Sequence, residues 1–189
     1  MITHAVITAR AGSVRLPGKN MLPVGGVPLA LRSVQHAREA GLAPIVTTDI
    51  PELLAAAEAI GCLVVSRPKE LAGEESPMTH HRAVEHALKT VGHPGGFMLL
   101  QPTTPFRDNS VTRACAMLGA TRPAHTIYGG HLERHGIWDG NAFAAPDFDT
   151  FLQARLRNIP SAFLPSRWEH SLQIDTLSDY ESALLVCRQ

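Results

Sequence analysis

Cysteine is scarce in this chain and scattered. Cys62, Cys115 and Cys187 are odd in number and form no CxxC pair, which argues against a disulfide framework or a zinc site and for reduced thiols in a cytoplasm. Net charge is missing as well: Lys plus Arg (17) balances Asp plus Glu (17), so no global field favours nucleic acid or an acidic membrane. No apolar run approaches the roughly 20 residues of a membrane span, and the opening Met-Ile-Thr-His is not that of a signal peptide. Internal repeats, linkers and low-complexity segments are absent. At 189 residues the chain is long enough for one full core and short for two. A single cytoplasmic domain over 1–189 is therefore expected.

Two common phosphate signatures are also lacking. Gly18-Lys19 is followed by Asn20 and has the wrong upstream spacing for a Walker loop, and the three glycines of a dinucleotide fingerprint are not there. What the chain does have is Thr8 to Leu22, TARAGSVRLPGKNML, after the apolar run Ala5-Val6-Ile7. Arg10, Arg15 and Lys19 place three cations in a stretch without a carboxylate, Gly12 and Gly18 supply backbone freedom, and Ser13 adds a small hydroxyl. Such a loop at the carboxyl end of a strand suits a polyanion, with a nucleoside triphosphate the leading reading and a solvated basic turn the plainer one.

Apolar runs then alternate with helical patterns, the signature of a parallel sheet between helices. Strands are expected at Thr3 to Ala9, Pro44 to Thr48, Cys62 to Val65 and Phe97 to Leu100. Helices are expected after Gly25-Gly26, with Pro28 in the first turn and Gly41 at the end, and from Pro51 to a stop at Gly61. Further helices are expected over Met78 to Val91, from an Asp108 or Asn109 cap through Leu118, over Phe148 to Leu156, and within Ile174 to Val186. Ser66 to Pro77 reads as loop, the alternation weakens from about His125 to Ala145, and Ala162 to Leu164 reads as a short strand. The fold class is thus α/β, a three-layer, mostly parallel sheet. Gln101, Thr103 and Thr104 follow the Phe97 to Leu100 strand, at the sheet end where open α/β folds bind ligands.

Several blocks together carry a resemblance. Ala9-Arg10, Ser13 and Lys19-Asn20 fit an Ala-Arg-x-x-Ser…Lys-Asn loop; Thr47-Thr48-Asp49 and Arg67-Pro68 follow, then LLQPTTPFR over Leu99 to Arg107, and finally Ile174-Asp175-Thr176 with Asp179. In this order the blocks resemble the cytidylyltransferases that activate sugar acids, the CMP-sialic acid synthetase group or acylneuraminate cytidylyltransferases. That resemblance implies a Rossmann-like nucleotide-diphospho-sugar transferase fold and the joining of CTP to an acidic sugar, with Mg2+, to give a CMP-sugar and pyrophosphate. It implies that Arg10, Ser13, Arg15, Lys19 and Asn20 face the triphosphate and that Arg67 and Ser76 lie near the nucleotide. Gln101, Thr103 and Thr104 would lie between base and sugar. Arg10, Lys19 and Asp175 are the implied catalytic groups. Asp175 is the implied Mg2+ ligand, opposite the basic loop, with Asp179 beside it as a second metal carboxylate or as a helix-start carboxylate.

Two departures bear on the chemistry. Where the family has Asp-x-Asp, this chain reads Gln173-Ile174-Asp175, and an amide carbonyl is a weaker ligand than a carboxylate. The segment at about 125–145 is a shortened version of the arm that in the family meets the sugar and a partner subunit. There Arg134 stands one residue from a family arginine for the sugar carboxylate. A smaller acid than a nine-carbon sugar, another small acceptor, or a CTP-binding protein with impaired catalysis are the alternatives, and a homodimer is expected from the resemblance. Of the 10 histidines, His125, His131 and His135 lack a scaffold for zinc, and His80-His81 reads as an exposed helix start. Ser166-Arg167-Trp168 lacks a nucleophile elbow, which leaves Trp168 to packing.

Overall fold

Four consecutive apolar residues, Phe97–Leu100, form a strand whose every side chain is buried, because helices cover both faces of the sheet at this point. The structure, a computed structural model, describes residues 1–73, 77–93, 95–128, 142–157, 162–166 and 172–187. In chain order these contain β1 (His4–Ala9), a 3₁₀ turn (Lys19–Met21), the short strands β2 (Pro23–Val24) and β3 (Val27–Pro28), α1 (Leu29–Glu39), β4 (Ala43–Thr48), α2 (Pro51–Ala59) and β5 (Leu63–Ser66). There follow α3 (Lys69–Ala72), α4 (Pro77–Thr90), β6 (Phe97–Leu100), α5 (Asn109–Gly119), β7 (Ala124–Tyr128), β8 (Ala142–Ala145), α6 (Phe148–Arg157), β9 (Ala162–Ser166) and α7 (Leu177–Val186).

Seven strands make one sheet in the order β5-β4-β1-β6-β8-β7-β9. β5, β4, β1 and β6 run parallel, β8 is antiparallel to β6 and β7, and β9 is parallel to β7. The alternation of side chains along a strand sorts the core into two layers. Ala5, Ile7, Ala9, Met98 and Leu100 pack with α1, α2 and α5, while Val6, Phe97, Leu99 and Phe143 pack with α4 and α6. This is the three-layer, mostly parallel α/β arrangement expected from the pattern.

The structure corrects the expectation in several places. Lys69–Ala72 is a helical turn inside the stretch read as loop. β7 and β8 lie where the alternation weakens, and β8 is four small or aromatic residues, Ala-Phe-Ala-Ala, all buried. Alanine has little strand preference, so this run lacks the bulky apolar signal that marks β6. Pro28 ends β3 and precedes α1 instead of entering its first turn. Gly18 is left-handed at φ 67°, whereas Gly12 is not among the glycines with positive φ; only Gly18 uses the freedom expected of both. His81 is 1% exposed and packs edge-on against Phe151 at 5.4 Å, so it is a core residue and not an exposed helix start.

Candidate active site

β1 and β6 are neighbours, yet the chain leaves them for opposite halves of the sheet: β4 and β5 lie on one side, β8, β7 and β9 on the other. The crevice beyond their carboxyl ends is a topological switch point, the usual ligand position in an open α/β sheet. The basic stretch follows β1 and the Gln101–Pro105 turn follows β6, so both fall at this crevice.

The basic loop is held by its own polar groups. The Ala11 N–H donates to Asp49 Oδ1 at 2.8 Å, tying the loop to the end of β4. The Asn20 amide, buried within the 3₁₀ turn, donates to the Arg10 carbonyl at 2.9 Å. Arg10 donates to the Gly73 carbonyl at 2.8 Å. Beneath the loop, Leu16, Val24, Leu29, Ile174 and Ala183 form a buried cluster. Each of the leucine, valine and isoleucine side chains is worth roughly 1.5–3 kcal/mol on burial, and together the five join the loop to the segment ahead of α7.

That segment delivers the carboxylate. The Ile174 N–H donates to the Thr103 carbonyl at 2.7 Å, and the fully buried Ile174 side chain anchors the turn. Asp175 then meets the loop: Lys19 Nζ lies 2.7 Å from Asp175 Oδ1 and the Arg15 guanidinium 3.2 Å from the same oxygen. Lys19 is 12% exposed and Arg15 66%, so Lys19 is the more strongly coupled of the two in the lower local dielectric. Asp175 Oδ2 accepts no hydrogen bond among the described residues and is the side of the carboxylate left for another partner.

Asp179 stands behind Asp175. Its Oδ2 accepts from the Asp175 N–H at 3.0 Å, the Thr176 N–H at 2.8 Å and the Thr176 hydroxyl at 2.8 Å, and with Thr176 it forms the capping box of α7. Burial pushes the Asp179 carboxyl up, but the Thr176 hydroxyl and the two backbone donors outweigh it and hold the group below its ordinary value. Asp179 therefore fixes the backbone that presents Asp175.

Of the other predicted residues, Ser13 is half-buried in the loop, and Arg67 is buried, its N–H bonded to the Thr48 carbonyl at 2.8 Å. Gln101 is half-buried and its carbonyl accepts from Arg107 and from the Thr104 N–H. Thr104 is fully buried. Ser76, Arg134, His131, His135, Arg167 and Trp168 lie outside the described residues. Asp49 ends the Thr47-Thr48-Asp49 block, to which the resemblance assigns no task; its bond to the loop backbone gives it one, which no local pattern signals.

The donor set bears on a metal. Among the described residues no group of three His, Cys, Asp or Glu side chains could hold an ion by itself. A single carboxylate with one free oxygen beside cationic phosphate partners fits Mg2+, which is held by one or two carboxylates together with phosphate oxygens and water. It does not fit a closed protein cage. A cavity of about 580 Å³ against Lys89, His93 and Asp147 includes none of the predicted site residues.

Known proteins share this frame. A family model described as Cytidylyltransferase matches residues 4–105, which contain the basic loop, Asp49, Arg67 and the Gln101 turn. The N-acylneuraminate cytidylyltransferase of Escherichia coli O18:K1:H7 (strain RS218 / NMEC) is 37% identical over 108 residues, 56% of this chain and 25% of that protein. The chain spans from a quarter to about half of the length of the curated relatives it matches. CMP:2-keto-3-deoxy-manno-octonic acid synthetase, solved in complex with CTP, superposes with a TM-score of 0.75 at 18% identity, covering 100% of this chain and 99% of that one. Rv0371C of Mycobacterium tuberculosis H37Rv, solved in complex with manganese, gives a TM-score of 0.69 at 21% identity over 98% and 99% of the two chains. These likenesses establish a nucleotidyltransferase-like fold, and the match over residues 4–105 places the chain in the cytidylyltransferase family.

Proposed function

We propose that the protein joins CTP to the hydroxyl of an acidic sugar, giving a CMP-sugar and pyrophosphate. The observation that carries this reading is the convergence of Lys19 and Arg15 on Asp175 at the switch-point crevice. It is supported by the family match and by relatives named for N-acylneuraminate and 3-deoxy-manno-octulosonate. The sugar oxygen bonds to the α-phosphorus while the bond from that phosphorus to the bridging oxygen of the β-phosphate breaks. Pyrophosphate leaves with the electron pair, and the hydroxyl proton passes to water. Lys19, Arg15 and Arg10 bind the triphosphate and neutralise the charge that grows on the leaving pyrophosphate. A triphosphate in the crevice competes with Asp175 for Lys19, and the Asp175 carboxylate is the group that would hold Mg2+ there. Mg2+ held there would draw charge from the phosphoryl oxygens. Asp179 keeps the Asp175 backbone in place, and Gln101 with Thr103 forms the side toward base and sugar. The short segment at 125–145, with Arg134, suits an acid smaller than a nine-carbon sugar.

Supplying each nucleoside triphosphate in turn with Mg2+ and a panel of sugar acids, and measuring pyrophosphate, tests the reading. Release with CTP and one acid class supports it; release only with another nucleotide overturns it. Gln173 favours a second reading, a CTP-binding protein with weak catalysis. On that reading CTP raises the melting temperature while no acceptor yields pyrophosphate, and Gln173→Asp raises Mg2+-dependent turnover.

A further inference from the structure

The two walls of the crevice do not touch through the sheet alone. After Lys19–Met21 the chain turns through the β2–β3 hairpin, and after Gln101–Thr104 it runs through Pro105 and Phe106 toward α5. One side chain reaches both. Arg32, in the first turn of α1, donates through Nε to the Pro105 carbonyl at 3.2 Å and through one terminal nitrogen to the Val24 carbonyl at 2.9 Å. Its guanidinium also lies 5.3 Å from the centre of the Phe106 ring. Next to it on α1, Ser33 Oγ accepts from Arg107 at 3.2 Å, and Arg107 also donates to the Gln101 carbonyl.

We propose that Arg32 is a positioning residue for the nucleotide, setting the gap between the basic loop and the Gln101–Thr104 turn. The proposal rests on the reading of this crevice as the CTP site. Val24 is fully buried in the same cluster as Leu16, so a shift of the Val24 backbone is passed to the loop that carries Arg15 and Lys19. Pro105 directly follows Thr104, so a shift there moves the opposite wall. Only a planar fork with donors in fixed directions bonds two carbonyls on separate segments while stacking on a ring. A lysine keeps the charge and most of the stem but provides a single ammonium and no fork. Gly25 allows the approach: a Cβ there would meet the Arg32 guanidinium at 3.1 Å. Arg32 lies outside every block that carries the family resemblance, so its position was not visible before the fold.

The test compares CTP affinity by calorimetry for the wild-type chain, Arg32→Lys, Phe106→Leu and Arg113→Lys. Arg113 donates to the Glu39 carbonyl at 3.1 Å at an exposed site, which makes it a control for the same kind of bond away from the crevice. The expected result is a roughly tenfold weaker Kd for Arg32→Lys, a smaller weakening for Phe106→Leu, and no change for Arg113→Lys. In turnover assays the KM for CTP should rise by more than kcat falls. Arg32→Lys and Phe106→Leu binding CTP as tightly as wild type, with only their melting temperatures lowered, would overturn the positioning role. Absence of CTP binding by the wild-type chain would instead remove the site reading on which it rests.

Discussion

Lys19 Nζ and Asp175 Oδ1 are 2.7 Å apart, although 156 positions separate the two residues in the chain. The pair joins the loop after the first strand to the turn before the last helix. Because Lys19 is only 12% exposed, its charge is poorly hydrated and depends on whichever anion stands beside it. A carboxylate and a phosphate are interchangeable in that role, which gives the pair its place in the proposed chemistry.

Replacing Lys19 with Met should weaken CTP binding by about 10- to 100-fold, the ~1.5–3 kcal/mol of a hydrogen bond to a charged group. Calorimetry measures it directly. An unchanged Kd would show that the loop does not hold the triphosphate.

Asp175→Asn should separate nucleotide binding from metal use. With the competing carboxylate gone, CTP affinity in a chelator should be equal to or tighter than wild type. The Mg2+ concentration needed for half-maximal turnover should rise by more than the roughly 10- to 100-fold that loss of an outer partner costs. An unaltered Mg2+ requirement would place the ion elsewhere.

Asp179→Ala should remove the capping box of α7 and destabilise the protein by about 0.5–2 kcal/mol, or ~2–4 °C in melting temperature per kcal/mol at this size. The effect should depend on pH. The folded Asp179 carboxyl lies below its ordinary value of 3.8, so its contribution is fully present above that value and is lost as pH falls through the lowered one. The variant and wild type should therefore converge in stability under acid, as followed by circular dichroism. A constant gap down to the lowest pH would contradict this.

Gly119→Ala should destabilise although alanine is the better helix former by about 1 kcal/mol. A Cβ at Gly119 would stand 2.2 Å from the Ala144 Cβ and 2.9 Å from the Ala144 carbonyl carbon, so α5 would have to lift from β8. Overpacking of this kind costs about 1–3 kcal/mol. Urea unfolding should show a lower midpoint, and a stabilised variant would mean that the helix and strand are less closely seated.

Period and punctuation are local properties, and those the chain declares by itself. The apolar runs at β1, β4 and β6, the glycine stops after α1 and α2 and the Asp108 cap of α5 follow from residues within a few positions of one another. The charge of the Arg10–Lys19 stretch is equally plain in the sequence. Which side chains meet across the crevice is not local. It depends on β6 settling beside β1, on Ile174 bonding to Thr103, and on Leu16, Val24 and Ile174 being buried together. β8 could not be read because three of its four residues are alanine, which has little strand preference, so this short buried run lacks the bulky apolar signal that marks β6. Asp49 and Arg32 acquire tasks only when the fold brings a distant N–H or carbonyl within about 3 Å of them. A hydrogen bond between remote segments leaves no periodic trace in either.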